Sequence, residues 1–506
     1  MKTGHVDFKK ILSETDFTDP ASIEYYAVRL EGMTFRDVLD LGITPKDAVQ
    51  KDFATRSFKG GMGNLIEERY FGYKSNSDDR PDFPDAGVEL KTTCFNTLKN
   101  GTKSAGERLV LTMIPYNRAV STDYEQSHLK SKLDNILLIY YERDRSIEKL
   151  DQHIERAVMV HLFEKDMRVI REDYRKITTL IQEGRAHELS EGMTDYLGAC
   201  TKGATEKTMW ALQFYAYTDP VTHTSKRLKA KKRAFSLKRS FMDYVLHNYV
   251  LNAPHLEESI VPDDASAPDF ETYTVHLLEQ YIGKSDREIA DILNIPYNGK
   301  KAQWTTLVYR MLGIKNNRAE EFIKAGITVR VVRVAANGSI KESMSFSPFK
   351  IKELLQEDWD TSTFRNALDS SRFLFVYFRA DENGILRLSG LKYWSMPASD
   401  IDGAAKACWT QTVKTLKKGL VLKCKHSANG KLTVENNLPK ASENLIAHVR
   451  PHASQAAYLF GDGTSIGDLE RNSDELPDGR RITKQSFWLN SSYLEKILKT
   501  RNDKKF

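Results

Sequence analysis

Cysteine is scarce in this sequence. Cys94, Cys200, Cys408 and Cys424 are scattered and form no C-x-x-C pair. A disulfide-stapled secreted scaffold and a zinc ribbon are therefore not expected, whereas a reduced, cytosolic compartment is. Long apolar runs are missing as well. No stretch approaches the roughly 18 apolar residues that a membrane helix needs. Residues 1–17, MKTGHVDFKKILSETDF, hold no apolar core of signal-peptide length. Neither secretion nor membrane insertion is expected. Charge of one sign is not in large excess: 75 Lys and Arg face 69 Asp and Glu, for a net charge of +6. With 40% hydrophobic residues, that balance excludes global disorder. It admits a polyanion partner without requiring one.

The chain has 506 residues, too many for one compact core. The best break is NAPHLEESIVPDDASAPDF at 252–270, where three prolines and small residues interrupt any helical or strand period. The expected organisation is 1–251, a linker at 252–270, and 271–506. The two halves repeat a pattern. The first runs TFRDVLDLGI (34–43), KGGMGNLIEERYFGYK (59–74) and DFPDAGVELKT (82–92). The second runs SDREIADILNI (285–295), KKAQWTTLVYRMLGIK (300–315) and EFIKAGITVRV (321–331). Each opens with a capping-box signature, Thr34-x-x-Asp37 or Ser285-x-x-Glu288. Each continues with a longer helix ending at a glycine, Gly72 or Gly313. Each then has an acid, a Phe, and a glycine leading into a β-branched strand. Three matches in one order indicate a duplicated domain. The ends match more loosely: YLGACTKGATEK (196–207) with IAHVRPHASQAA (446–457), and RAFSLKRSFMDYVL (233–246) with ITKQSFWLNSSYLEKIL (482–498).

PDFPDAGVELKTT, residues 81–93, carries the chemistry. Side chains alternate along a strand, so Glu89 and Lys91 share one face while Val88 and Leu90 face a core. Most E-x-K triplets are solvated surface pairs. Here Asp82 precedes the strand, and two carboxylates with a strand carbonyl make a donor set for Mg²⁺, which keeps several waters. Asp82, Glu89 and the carbonyl of Leu90 are the candidate ligands. Lys91 is placed to orient a water and to neutralise charge developing on phosphorus. Asp85 rivals Asp82. Glu67 or Glu68 lies on the preceding helix, within reach of the metal shell through water. SHLKSKLDNILLIYYE (127–142) runs from a polar turn into an apolar strand, with Lys132 at its entrance, near a scissile phosphate; His128 is expected to be structural. The run HTSKRLKAKKRAFSLKRS (223–240) carries eight Lys or Arg. A charge run is commonly a solvated face; this one lacks acidic partners and is expected to contact phosphates.

These motifs resemble the MutH-like branch of the PD-ExK restriction endonuclease superfamily. More narrowly, they resemble the two-domain, GATC-cutting type II restriction enzymes of the Sau-three-A type. The matching stretches are GNLIEE (63–68), DFPDAGVELKTT (82–93), SHLKSKL (127–133), AHELSEGMTDYLGACTKGAT (186–205), RAFSLKRSF (233–241), KESMSF (341–346), RFLFVYF (372–378), HVRPHA (448–453) and TKQSFWLN (483–490). The resemblance implies an α/β fold: two tandem restriction-endonuclease-like domains, each a mixed sheet flanked by helices. It implies Asp82 and Glu89 as metal carboxylates, Lys91 and Lys132 as active-site lysines, and Glu67 as the helical glutamate. The Glu67 to Asp82 gap is one residue longer than in the MutH pattern, so Glu68 stays open. Lys202 matches a DNA-contacting lysine; Lys238 and Arg239, with Arg233 beside them, match basic residues close to DNA.

The second half has lost this set. Asp82 corresponds to Glu321, Glu89 to Thr328 and Lys91 to Arg330. One acid cannot replace two, and Arg differs from Lys in reach and geometry. The second half is expected to be catalytically inactive and to bind DNA. The implied activity is Mg²⁺-dependent hydrolysis of double-stranded DNA at GATC, and the implied mode of binding holds two sites at once. The implied setting is a bacterial cytoplasm, a monomer that dimerises on DNA, and a cognate methyltransferase. The alternatives are a GATC nicking endonuclease of mismatch repair and a non-catalytic DNA-binding regulator.

Overall fold

The computed structural model describes residues 7–41, 61–74, 79–98, 100–203, 208–254, 257–262, 269–426 and 432–499. The ends of the 34–43 and 59–74 motifs, residues 204–207, and most of the linker's acidic centre lie outside these described residues. The chain forms two compact units. One comprises residues 1–258 with 320–326; the other comprises 259–319 with 327–506. Both are mixed α/β.

The first unit is built on a four-stranded sheet. Its order is Lys103–Ala105, Glu89–Thr97, Ile136–Glu142, Ile154–Val160. ILLIYYE at 136–142 is an almost unbroken apolar run, as suits a central strand covered on both faces. It lies parallel to Glu89–Thr97, with Glu89 opposite Ile136 and Lys91 opposite Leu138. Val88, Leu90, Leu137 and Ile139 pack with Ile23, Tyr26, Leu30 and Phe35 in one core. The strand alternation therefore turns Glu89 and Lys91 away from that core. A second, antiparallel sheet sets Arg233–Leu237 between Leu109–Met113 and Leu197–Thr201.

The second unit repeats this plan. Ile327–Val334 lies parallel to Arg372–Ala380, which pairs antiparallel with Leu386–Ser395. A further sheet sets Gln485–Leu489 between Met344–Ser345 and Ala447–Pro451. The joints match as closely as the strands. Both capping boxes form, at Thr34–Asp37 and Ser285–Glu288. Ahead of them, Gly32 and Gly283 adopt φ of 85° and 84°. The Gly32 N–H donates to the Ile154 carbonyl at 2.8 Å, and the Gly283 N–H to the Leu388 carbonyl at 2.8 Å. Lys202 and His452 likewise donate to the Lys232 and Lys484 carbonyls, each at 2.8 Å.

The copies diverge where the first carries its turn. Residues 82–88 form a tight loop closed by paired Phe83 and Val88, with Pro81 and Pro84 preventing a helix. The corresponding EEFIKA forms the helix Glu320–Ala325, which lies with the first unit, not with the second half that carries its neighbours in sequence. Its Lys324, 2% exposed, reaches Asp166 at 2.5 Å and Glu320 at 2.6 Å and sits over the Tyr244 ring. A buried ammonium needs such partners, and Asp166 and Glu320 supply them.

The strand Leu197–Thr201 is anchored by one buried carboxylate. Asp173, on the helix Glu164–Gln182, accepts the N–H groups of Asp195, Tyr196 and Leu197 at 2.8, 2.7 and 2.9 Å. Asp173→Ala leaves three donors without acceptors and should destabilise the first unit by about 3 kcal/mol or more. Calorimetry should show its melting transition lowered. A transition within a degree of wild type would contradict the anchoring role.

Candidate active site

Glu89 is 1% exposed and carries its charge between two ammonium groups. Lys91 Nζ binds Oε1. Lys132 Nζ lies 3.1 Å from Oε1 and 3.0 Å from Oε2. Lys132, 6% exposed, comes from the helix His128–Leu133, whose first turn is fixed by Ser127 accepting the Lys130 N–H at 3.2 Å. Burying one carboxylate costs several kcal/mol without compensation, and two lysines provide it.

Asp82 reaches the same place from the loop. Its Oδ2 accepts the Leu90 N–H at 2.9 Å and lies 3.9 Å from Lys91 Nζ. Lys91 Nζ also donates to the Leu90 carbonyl at 3.2 Å. Three oxygens, from Asp82, Glu89 and Leu90, thus converge on one cationic nitrogen. This is the donor set expected for Mg²⁺, here gathered around an ammonium, and it fits a hard cation that also retains water. Among the described residues, no three His, Cys, Asp or Glu side chains cluster as a self-sufficient metal site. A cation here would draw on the main-chain carbonyl and water. Asp85 is exposed in the turn and makes no contact with the cluster.

Glu67 sits in a π-helical turn, Ile66–Tyr70, that follows the helix Gly61–Leu65. Burial, and then the charges of Asp82, Glu89 and Glu68, push its pKa up to about 7, while Lys91 opposes the rise. Burial and Glu89 also raise Asp82. Glu67 thus joins Asp82 and Glu89 electrostatically. Three carboxylates against two lysines leave one negative charge in excess, which either a proton on Glu67 or an added cation relieves. Tyr73 belongs to the same surroundings and was not expected from the sequence. Its hydroxyl is buried without a hydrogen-bond partner among the described residues, and burial with Asp82, Glu67 and Glu89 raises its pKa. Its only sequence signal was its place just past Gly72.

The basic residues separate into two groups. Lys238 is 3% exposed and donates to the Thr194 carbonyl; Arg233 is 2% exposed and donates to the Ala199 carbonyl at 2.6 Å. Both are interior, so the expected phosphate contact is not available to them here: each head is spent on a main-chain oxygen. Arg239 is exposed, but its Nε donates to the Ala105 carbonyl at 2.7 Å. Lys202 is half-buried at the end of Leu197–Thr201. Besides Arg239, the exposed cations of the run are Lys226, Arg227 and Lys229, on a hairpin that pairs Trp210–Leu212 with Lys229–Lys231 and Tyr217–Thr218 with Ser225–Lys226. His128 is largely exposed, 3.9 Å from Asp79, and touches none of the cluster.

Residues 71–173, which hold Asp82, Glu89, Lys91 and Lys132, match the family described as DNA mismatch repair enzyme MutH. The chain is 36% identical over 465 residues to the type II restriction enzyme Sau3AI of Staphylococcus aureus, covering 87% of this chain and 92% of that enzyme. It belongs to the Sau3AI family of type II restriction enzymes. Similarity to the DNA mismatch repair protein MutH of Escherichia coli O17:K52:H18 is 26% over 229 residues, 44% of this chain and 90% of that protein. The restriction enzyme is thus matched across both units, and the repair protein over less than half the chain. Membership in this family implies a divalent cation, which the oxygen set around Lys91 suits.

Glu67 has a direct thermodynamic consequence. Its folded pKa lies above the ordinary value of 4.5, so between about pH 4.5 and pH 7 the folded protein binds more protons than the unfolded chain, and stability falls as pH rises. Without divalent cation, Glu67→Gln should melt with wild type near pH 5 and a few degrees above it near pH 8. Equal melting temperatures at both would contradict the burial of this charge.

Proposed function

We propose that the protein is a Mg²⁺-dependent restriction endonuclease that hydrolyses double-stranded DNA at GATC, with catalysis in the first unit. The observation that carries this reading is the convergence of Asp82, Glu89 and the Leu90 carbonyl on the Lys91 ammonium. Asp82, Glu89 and the Leu90 carbonyl would hold Mg²⁺, which when bound would acidify water and offset phosphate charge. Lys91 orients the attacking water and faces the charge that grows on the phosphate oxygens. Lys132 pairs with both oxygens of Glu89 and holds it aligned, and is the second active-site lysine, serving the scissile phosphate. Glu67 accepts a proton through water; its pKa of about 7 suits that exchange.

The second unit acts as an effector that binds a second site without cutting. Thr328 and Arg330 on Ile327–Val334 offer no carboxylate, and Glu321 lies in a helix packed with the first unit. One active site cuts one strand, so a palindromic target calls for DNA-induced association of two protomers. A cognate methyltransferase in the same cytoplasm protects the host genome. No described helix is long and apolar enough to cross a membrane.

A plasmid with two GATC sites, beside one with both scrambled, should be cut only in the first case, only with Mg²⁺, and not by Glu89→Ala. Cleavage of both would remove the target assignment. Nicks without double-strand breaks would favour the repair-type reading. Tight binding without cleavage would favour a regulator.

A further inference from the structure

The second unit holds a cavity of about 620 Å³ beside the strand Ile327–Val334, where the two copies also differ. In the first unit the chain leaving Glu89–Thr97 turns at Leu98, whose N–H meets the Thr102 carbonyl at 2.8 Å. It then pairs back as Lys103–Ala105. In the second unit the same kind of turn follows Ile327–Val334, with the Ala335 N–H on the Ser339 carbonyl at 2.9 Å. There the returning residues 340–343 form no ladder with Ile327–Val334, which stays the outer strand of its sheet. The space left is lined by Trp304, Phe375 and Trp488, by Arg330 and Arg333, and by Ile340 and Met344 among others.

Two lining groups lack partners. Arg330 has no acidic partner among the described residues. It keeps solvent contact at the cavity mouth, yet packing around its guanidinium lowers its pKa. The Trp488 indole N–H is buried and finds no acceptor among the described residues. Arg333, by contrast, is paired with Glu342 across the opening. Volume, aromatic walls and an uncommitted guanidinium together describe a site for a flat, anionic, hydrogen-bonding ligand. Arginine forks match phosphate oxygens, and indole and phenyl faces match nucleobases.

We propose that this cavity binds a single nucleotide, with its base against the aromatic wall and its phosphate on Arg330. The nucleotide is either free or an unpaired residue of a DNA strand turned out of its stack. The site needs no metal, and it differs in kind from the duplex grip of an effector domain, so it stands whether or not that reading holds.

Calorimetric titration tests it on full-length protein carrying Glu89→Ala, which prevents hydrolysis. The probes are deoxynucleoside monophosphates, a four-nucleotide single strand, and inorganic phosphate. The comparison variants are Arg330→Gln, a change at an exposed position, and Trp304→Leu, each checked for an unchanged melting temperature. Binding of a monophosphate at submillimolar concentration, weakened at least tenfold by Arg330→Gln, supports a free-nucleotide site. Binding of the short strand alone, lost in the same variant, supports the strand-borne source. Inorganic phosphate binding as tightly as nucleotide, affinities unchanged by Arg330→Gln, or no heat from any probe would each overturn the proposal. Quenching of tryptophan fluorescence, reduced in Trp304→Leu because Trp488 remains in the wall, supplies an independent readout.

Discussion

The first unit turns on one buried carboxylate. Glu89 lies almost out of solvent between Lys91 and Lys132, and neither lysine is its neighbour by chance. Lys91 shares its strand face. Lys132 is delivered by a helix whose following strand lies parallel to Glu89–Thr97 and starts level with Glu89. The loop that brings Asp82 is tied to the same strand through the Leu90 N–H. Fixing that register fixes the relative positions of two carboxylates, one carbonyl and two ammonium groups. The apolar side of the strand, Val88 and Leu90 in the core, holds the register because a one-residue slip would bury Lys91 and expose Leu90.

Much of this was legible in the sequence because it rests on local rules. Strand alternation separates Glu89 from Leu90, capping boxes fix Thr34 and Ser285, and left-handed glycines end the helices at Gly72 and Gly313. What was not legible depends on long-range packing. Lys238 and Arg233 read as surface cations in a basic run, yet tertiary contacts turn them inward onto the Thr194 and Ala199 carbonyls. The helix Glu320–Ala325 follows no local signal in leaving the second half; its Lys324 answers to Asp166, 158 residues away. Tyr73 enters the site only because the chain folds back past Gly72.

One architecture appears twice in the chain. The same parallel strand pair, the same joint at Gly32 or Gly283, and the same three-stranded antiparallel sheet recur. The differences include the segment ahead of the strand, a loop at 82–88 and the helix Glu320–Ala325 at the corresponding place, as well as the strand face and its return segment. Thr328 and Arg330 replace the acid and lysine, and the strand partner that fills the first unit is missing beside Ile327–Val334, leaving a cavity. Scaffold conserved by packing and surface altered by substitution is the pattern expected when function resides in a site and not in the fold.

The central claim is that Asp82, Glu89 and the strand between them form one cation-holding site. Manganese binding, followed calorimetrically on wild type, Asp82→Asn and Glu89→Gln without DNA, tests it most directly. Wild type should bind the ion, and each variant should bind it at least tenfold more weakly while keeping its fold. Wild-type affinity in both variants would contradict the account.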